Sequence, residues 1–118
     1  GMYKMSDDVN YATVETMDEE FFEEWMHYQF MQDKDIENKK ETPFKADYTG
    51  MGWMLVRKGV IEKMKYPYFY PRKKVWKQYG WEEFVWDDVE FCMRVRELGH
   101  DIWIDPKIRI GHEKVKIL

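Results

Sequence analysis

The chain has 118 residues and a formal net charge of -4, with 44% hydrophobic and 36% charged side chains. This is the composition of one folded domain with a modest core, not of a disordered chain, and its mixed charge argues against a nucleic-acid scaffold. A single cysteine excludes an internal disulfide and points to a reducing, cytoplasmic setting, and no apolar run approaches the roughly 18 residues of a membrane span.

Six Trp, eight Tyr and seven Phe are more rings than the length requires. Some must pack the core; the rest suit a cleft for a sugar or another ring-bearing ligand.

Residues 2–8 read as a short strand running into an acidic loop, Ser6-Asp7-Asp8. Thr16-Met-Asp-Glu19 has the spacing of a capping box, which predicts a helix from there to about Gln32. Its Phe21, Trp25 and Tyr28 fall at i, i+4 and i+7, so the stripe is expected to pack on the core. Residues 33–45 are polar, contain Pro43 and predict a loop. An Asp-x-Asp at Asp33 and Asp35 lies in this stretch, away from the buried strand that would hold a metal pair rigid.

Residues 46–57 predict a strand interrupted at Gly50 and Gly52, where a bulge or a close neighbour is expected. The two glycines do not form a dinucleotide fingerprint, which needs a third glycine and a following helix. A short helix with Val60, Ile61 and Met64 on one side comes next. Residues 65–83 carry Pro67, Pro71 and seven aromatic side chains without clear periodicity. They predict irregular strands and a loop, and the wall of a cleft.

The helix predicted over 87–98 turns Phe91, Cys92, Val95 and Leu98 inward. Asp88 lies three before Phe91 and shares that face, whereas Asp87 suits capping. Glu90 and Arg94 are expected to pair at i, i+4 on the outer side. Gly99 fits the left-handed residue that ends a helix. Ile102 and Ile104 share one face of a strand; Ile108, Ile110 and His112 share an apolar, buried face of the next.

A carboxylate on the buried side of a cleft is the requirement of a general base, which makes Asp88 the candidate and Asp87 its neighbour. Carboxylates with His112 would suit a hard divalent ion such as Mn²⁺ or Mg²⁺. A lone histidine on an apolar strand is, however, more often a satisfied core residue. Cys92 has no histidine at motif spacing and reads as core.

Taken together, Trp86-Asp-Asp-Val-Glu-Phe-Cys-Met-Arg, Leu98-Gly, Asp105-Pro and Gly111-His112 resemble the C-terminal, acceptor-side half of GT-A fold glycosyltransferases, notably family 2. Thr49-Gly-Met-Gly-Trp-Met-Leu-Val-Arg57 resembles the family's preceding strand beside the donor sugar. The resemblance covers about residues 46–112. It implies an α/β fold: a partial GT-A-like domain, a mixed sheet with about three helices, lacking the nucleotide-binding βαβ half.

It further implies transfer of a sugar from a nucleotide-sugar donor to a hydroxyl acceptor, with Asp88 as base. Asp87 stands where the family has Glu. His112 would hold the metal, and Asp8, in the place of the upstream Asp-x-Asp motif, would join it. Gly50 and Gly52 would let the donor sugar approach the backbone, and Trp81 and Trp86 would stack on the acceptor ring. Without the donor half, the chain by itself is expected to lack activity, and the open sheet edges left behind favour a homo-oligomer. The contrasting expectation is a non-catalytic binding or self-assembling module. A metal-dependent hydrolase built on Asp87, Asp88 and His112 is a further one.

Overall fold

The computed structural model describes residues 2–5, 9–51, 54–76 and 81–109, with the side chains of 74–76 and 81–84 outside that description. It is a small α/β fold with three α-helices and antiparallel strand pairs. Among the described residues no helix is long and apolar enough to cross a membrane.

Residues 2–5 run between two neighbours. On one side Met2 bridges Arg109 in parallel; on the other Lys4 bridges Tyr11 in antiparallel. Strand β1 (Thr13–Val14) follows and pairs antiparallel with β3 (Tyr48–Thr49), in the register Thr13 to Thr49 and Val14 to Tyr48. The amide of Gly50 extends that ladder by donating to the Ala12 carbonyl at 2.8 Å. These segments form the floor beneath the last helix.

The first helix departs from expectation. α1 is only Glu19–Trp25, and its N-cap is Asp18, not Thr16, because the Asp18 carboxylate accepts from the amides of Glu20 and Phe21 at 3.0 and 3.2 Å. Met26 then takes a left-handed φ of 63° and ends the helix well short of Gln32. None of the α1 residues is buried and Trp25 is 57% exposed, so of the aromatic stripe only Tyr28, beyond the end of the helix, packs half-buried against the core. The α1 rings pack on one another and on the returning chain instead, Phe22 against Tyr28 with centroids 4.8 Å apart.

Where a loop was expected, α2 (Asp33–Glu37) and the start of β2 (Phe44–Ala46) appear. Asp35 caps α2 by accepting from the Gln32 amide at 2.9 Å, and Ile36 is buried. Asp33 accepts from Tyr11 Oη at 2.8 Å and from Lys4 Nζ at 3.1 Å, which ties α2 to the floor. The strand expected over 46–57 is broken: β2 ends at Ala46, β3 at Thr49, and residues 54–57 carry no regular structure. A 3-10 turn over Ile61–Lys63 buries Val60 and Met64, as the short apolar pattern there implies.

The aromatic stretch is more regular than its periodicity suggests. β4 (Arg72–Trp76) and β5 (Trp81–Val85) form an antiparallel hairpin. It leads directly into α3 (Asp87–Glu97), which buries Glu90, Phe91, Cys92 and Val95. Phe69 stacks on Phe91 with centroids 4.8 Å apart. Gly99, at φ 88°, reverses the chain, as expected. β6 (Ile102–Ile104) then pairs antiparallel with β2, with both isoleucines buried.

Glu90 is not on the outer side. It is 0% exposed, with Oε1 3.1 Å from Arg72 on the hairpin and 3.6 Å from Arg94 one turn along. The hairpin covers this flank of α3, which turns an expected surface pair into a buried one. Arg94 also donates to the carbonyls of Pro67 and Tyr68, at 2.9 and 3.4 Å, and to that of Lys65. Ile108 is 37% exposed rather than buried: it still belongs to the Pro106 turn, its amide donating to the Asp105 carbonyl at 3.1 Å.

Candidate functional site

The start of α3 faces the end of β3. Asp88 Oδ2 accepts a 2.7 Å hydrogen bond from Tyr48 Oη, and Oδ1 accepts from the Val89 amide at 2.8 Å. Asp87 is exposed, and its Oδ1 accepts from the Asp88 amide at 2.9 Å. The two carboxylates therefore divide as the helical period predicts, Asp88 inward and Asp87 outward.

Tyr48 is buried, and its phenol is pushed far above the usual tyrosine range, first by burial and then by the hydrogen bond to Asp88 and its charge. It stays protonated and so remains a donor to the carboxylate. Tyr3 approaches from the other side. Its phenol is also raised, by burial and by the nearby Asp88 charge.

Gly50 explains how Tyr3 gets there. The Tyr3 carbonyl accepts from Ala12 at 2.9 Å, and Ala12 in turn accepts from Gly50, so Tyr3 and Gly50 lie two strands apart. The tyrosine side chain spans that gap, and a Cβ on Gly50 would overlap its hydroxyl and lie 2.6 Å from Cζ. The close neighbour that the glycine admits is thus a side chain of the same molecule.

One turn further along α3, Cys92 is fully buried, with Sγ 3.7 Å from the Thr49 carbonyl. Burial pushes its thiol up to about 11, which suits the core role read from its position and not a nucleophile. Thr49 turns to the opposite side of β3, where its hydroxyl lies 3.2 Å from that of Thr13.

Trp86 precedes the helix and is 79% exposed, open to a ring-shaped ligand. The Trp81 backbone pairs with Trp76 at the hairpin end, while its side chain lies outside the described residues. Gly52, Asp8 and His112 also lie outside them. Among the described residues no three Asp, Glu, His or Cys side chains group as a metal site. Asp33 and Asp35 are engaged as described above, and Tyr11 and Lys4 hold the Asp33 carboxyl below its ordinary value.

Sequence reasoning did not single out Tyr48 or Tyr3. One signal was present: Tyr48 and Gly50 are two apart on an extended segment, so they share a face. Which face only the packing of α3 decides. A cleft of about 560 Å³ runs between residues 54–57, α3 and β6, and Asp88 does not line it. A second pocket, about 500 Å³, lies beside α1. No family model, curated protein or solved structure matches the chain.

Proposed function

We propose that the chain is the acceptor-side part of a GT-A fold glycosyltransferase similar to family 2. The observation that carries this reading is the inward Asp88 at the start of α3, held by Tyr48 beside the Thr49–Gly50 strand. Those are the two segments in which the sequence resemblance is concentrated.

In this reading Asp88 takes the proton of an acceptor hydroxyl. Each carboxylate oxygen offers two lone-pair directions, so the bonds from Tyr48 and Val89 leave room for one more donor. The acceptor oxygen attacks the anomeric carbon, the bond to the nucleotide diphosphate breaks, and the configuration inverts. The exposed Trp86 ring offers a face to the acceptor.

A divalent ion, Mn²⁺ or Mg²⁺, belongs to the proposal. Asp8 and His112 would hold it; carboxylate and imidazole are donors such an ion accepts. Such an ion supplies charge stabilisation to a departing diphosphate. The single, buried, unreactive thiol fits a reducing, cytoplasmic setting.

Calorimetry with Mn²⁺ and the common nucleotide diphosphates and nucleotide-sugars tests the reading. Binding that the Asp88→Asn variant retains is the expected outcome; joined to a donor-binding half, the chain should transfer sugar and Asp88→Asn should not. Transfer unchanged in Asp88→Asn would remove Asp88 as the base. No heat with any of these ligands would favour the second reading, a non-catalytic self-associating module. The exposed Leu55 and Trp103 at the rim of the large cleft give that reading its own support.

A further inference from the structure

Asp88 is held through both carboxylate oxygens, and the two donors differ in kind. The Val89 amide on Oδ1 belongs to the next residue of α3, and a carboxylate in the first turn of a helix commonly meets such a donor. The Tyr48 hydroxyl on Oδ2 comes from β3, forty positions away, at 2.7 Å. It sets where the second oxygen points relative to the strand, which the helix by itself leaves open.

The helix is fastened without this bond. Phe91, Cys92 and Val95 are buried in the core, and Arg72 and Arg94 hold the flank at Glu90. A phenylalanine at position 48 would bury the same ring with no hydroxyl to satisfy. What the hydroxyl adds is direction. Burial, and then the bond to Asp88, raise the phenol far above the usual tyrosine range. Tyr48 is therefore a permanent donor and does not compete with Asp88 for a proton.

We infer that Tyr48 is a positioning residue: its hydroxyl sets the orientation in which the Asp88 carboxylate meets the acceptor hydroxyl. The inference rests on the transferase reading for what Asp88 does, and on the bond from β3 for how Asp88 is held.

Tyr48→Phe keeps the ring and removes the donor. In the whole chain, three-bond couplings should report one conformer of the Asp88 side chain, and in the variant an average over at least two. Amide exchange should show the β1–β3 pairing intact in both. A single Asp88 conformer in Tyr48→Phe would overturn the inference. Asp88→Asn probes the same bond from its other end. The Tyr48 hydroxyl proton should resonate at low field in the original chain and move upfield when a carboxamide replaces the carboxylate; an unmoved resonance would also overturn it.

Joined to a donor-binding half, Tyr48→Phe should lower kcat for sugar transfer about ten- to a hundredfold and leave the acceptor KM within about twofold. Transfer lost in Asp88→Asn, with kcat unchanged in Tyr48→Phe, would keep Asp88 as the base and sink the positioning role. Transfer unaffected by Asp88→Asn, with the Asp88 side chain disordered in Tyr48→Phe, would sink the base instead and leave Tyr48 as the residue that orients it.

Discussion

At the residue scale, the least replaceable position near the site is Gly50. Its role is not conformational freedom but space, since the Tyr3 ring fills the volume a Cβ would take. Gly50→Ala should therefore push Tyr3 off the strand and destabilise the fold by about 1–3 kcal/mol, the usual range for overpacking. Tyr3→Ala in the same chain should recover part of that loss. A double-mutant cycle read by urea unfolding checks it; additive effects would mean that Tyr3 and Gly50 do not contact. Tyr48 differs, because its burial and its bond to Asp88 act together to keep the phenol protonated.

At the element scale, α3 is held from two sides. Its inner face packs on β3 and β6, and its flank is held by the arginines around Glu90. Glu90 Oε1 faces both guanidiniums, while no donor among the described residues reaches Oε2. Removing one member of a buried ion network leaves uncompensated charge. Glu90→Ala should cost about 3 kcal/mol and loosen residues 65–72 against the helix. Denaturant midpoints measure the cost, and limited proteolysis locates it; cleavage unchanged near Lys65 would contradict this account. The exposed Lys45–Asp101 pair, at 3.2 Å, is by contrast worth little.

At the scale of the whole molecule, carboxylates tie distant segments together. Glu97 binds Arg72 on the hairpin at 2.6 Å, and Asp33 binds Lys4 and Tyr11 on the floor. Both carboxyls are held below their ordinary values, by Arg72 for Glu97 and by Tyr11 then Lys4 for Asp33. A lowered folded value means that the contribution is complete above the unfolded value, 4.5 for Glu97, and is lost as pH falls through the folded one. The melting temperature should therefore fall as pH drops from about 5 to about 3, and Glu97→Gln should make that slope shallower. Equal slopes for the two proteins would show that the Arg72 contact does not persist in solution.

Local chemistry was legible in the sequence. The α3 helix, the inward Asp88, the outward Asp87 and the buried Cys92 follow from a 3.6-residue period over eleven residues, and the stop at Gly99 from the left-handed conformation a glycine accepts; Leu98, expected inward, is 43% exposed. The inward faces of Ile102 and Ile104 follow from the two-residue period of a strand, which needs no partner to be read. The short, aromatic and polar segments were not legible. α1 is stopped by one left-handed residue and leaves Trp25 exposed, and α2 arises in a stretch that composition reads as loop.

Tertiary structure alone decided the surroundings of Asp88 and Glu90. Tyr48 is forty positions from Asp88, Arg72 is eighteen from Glu90, and Tyr3 reaches Gly50 across an intervening strand. A periodic pattern shows which way a side chain faces. Which partner it meets depends on strand pairing over long separations, and no local signal carries that.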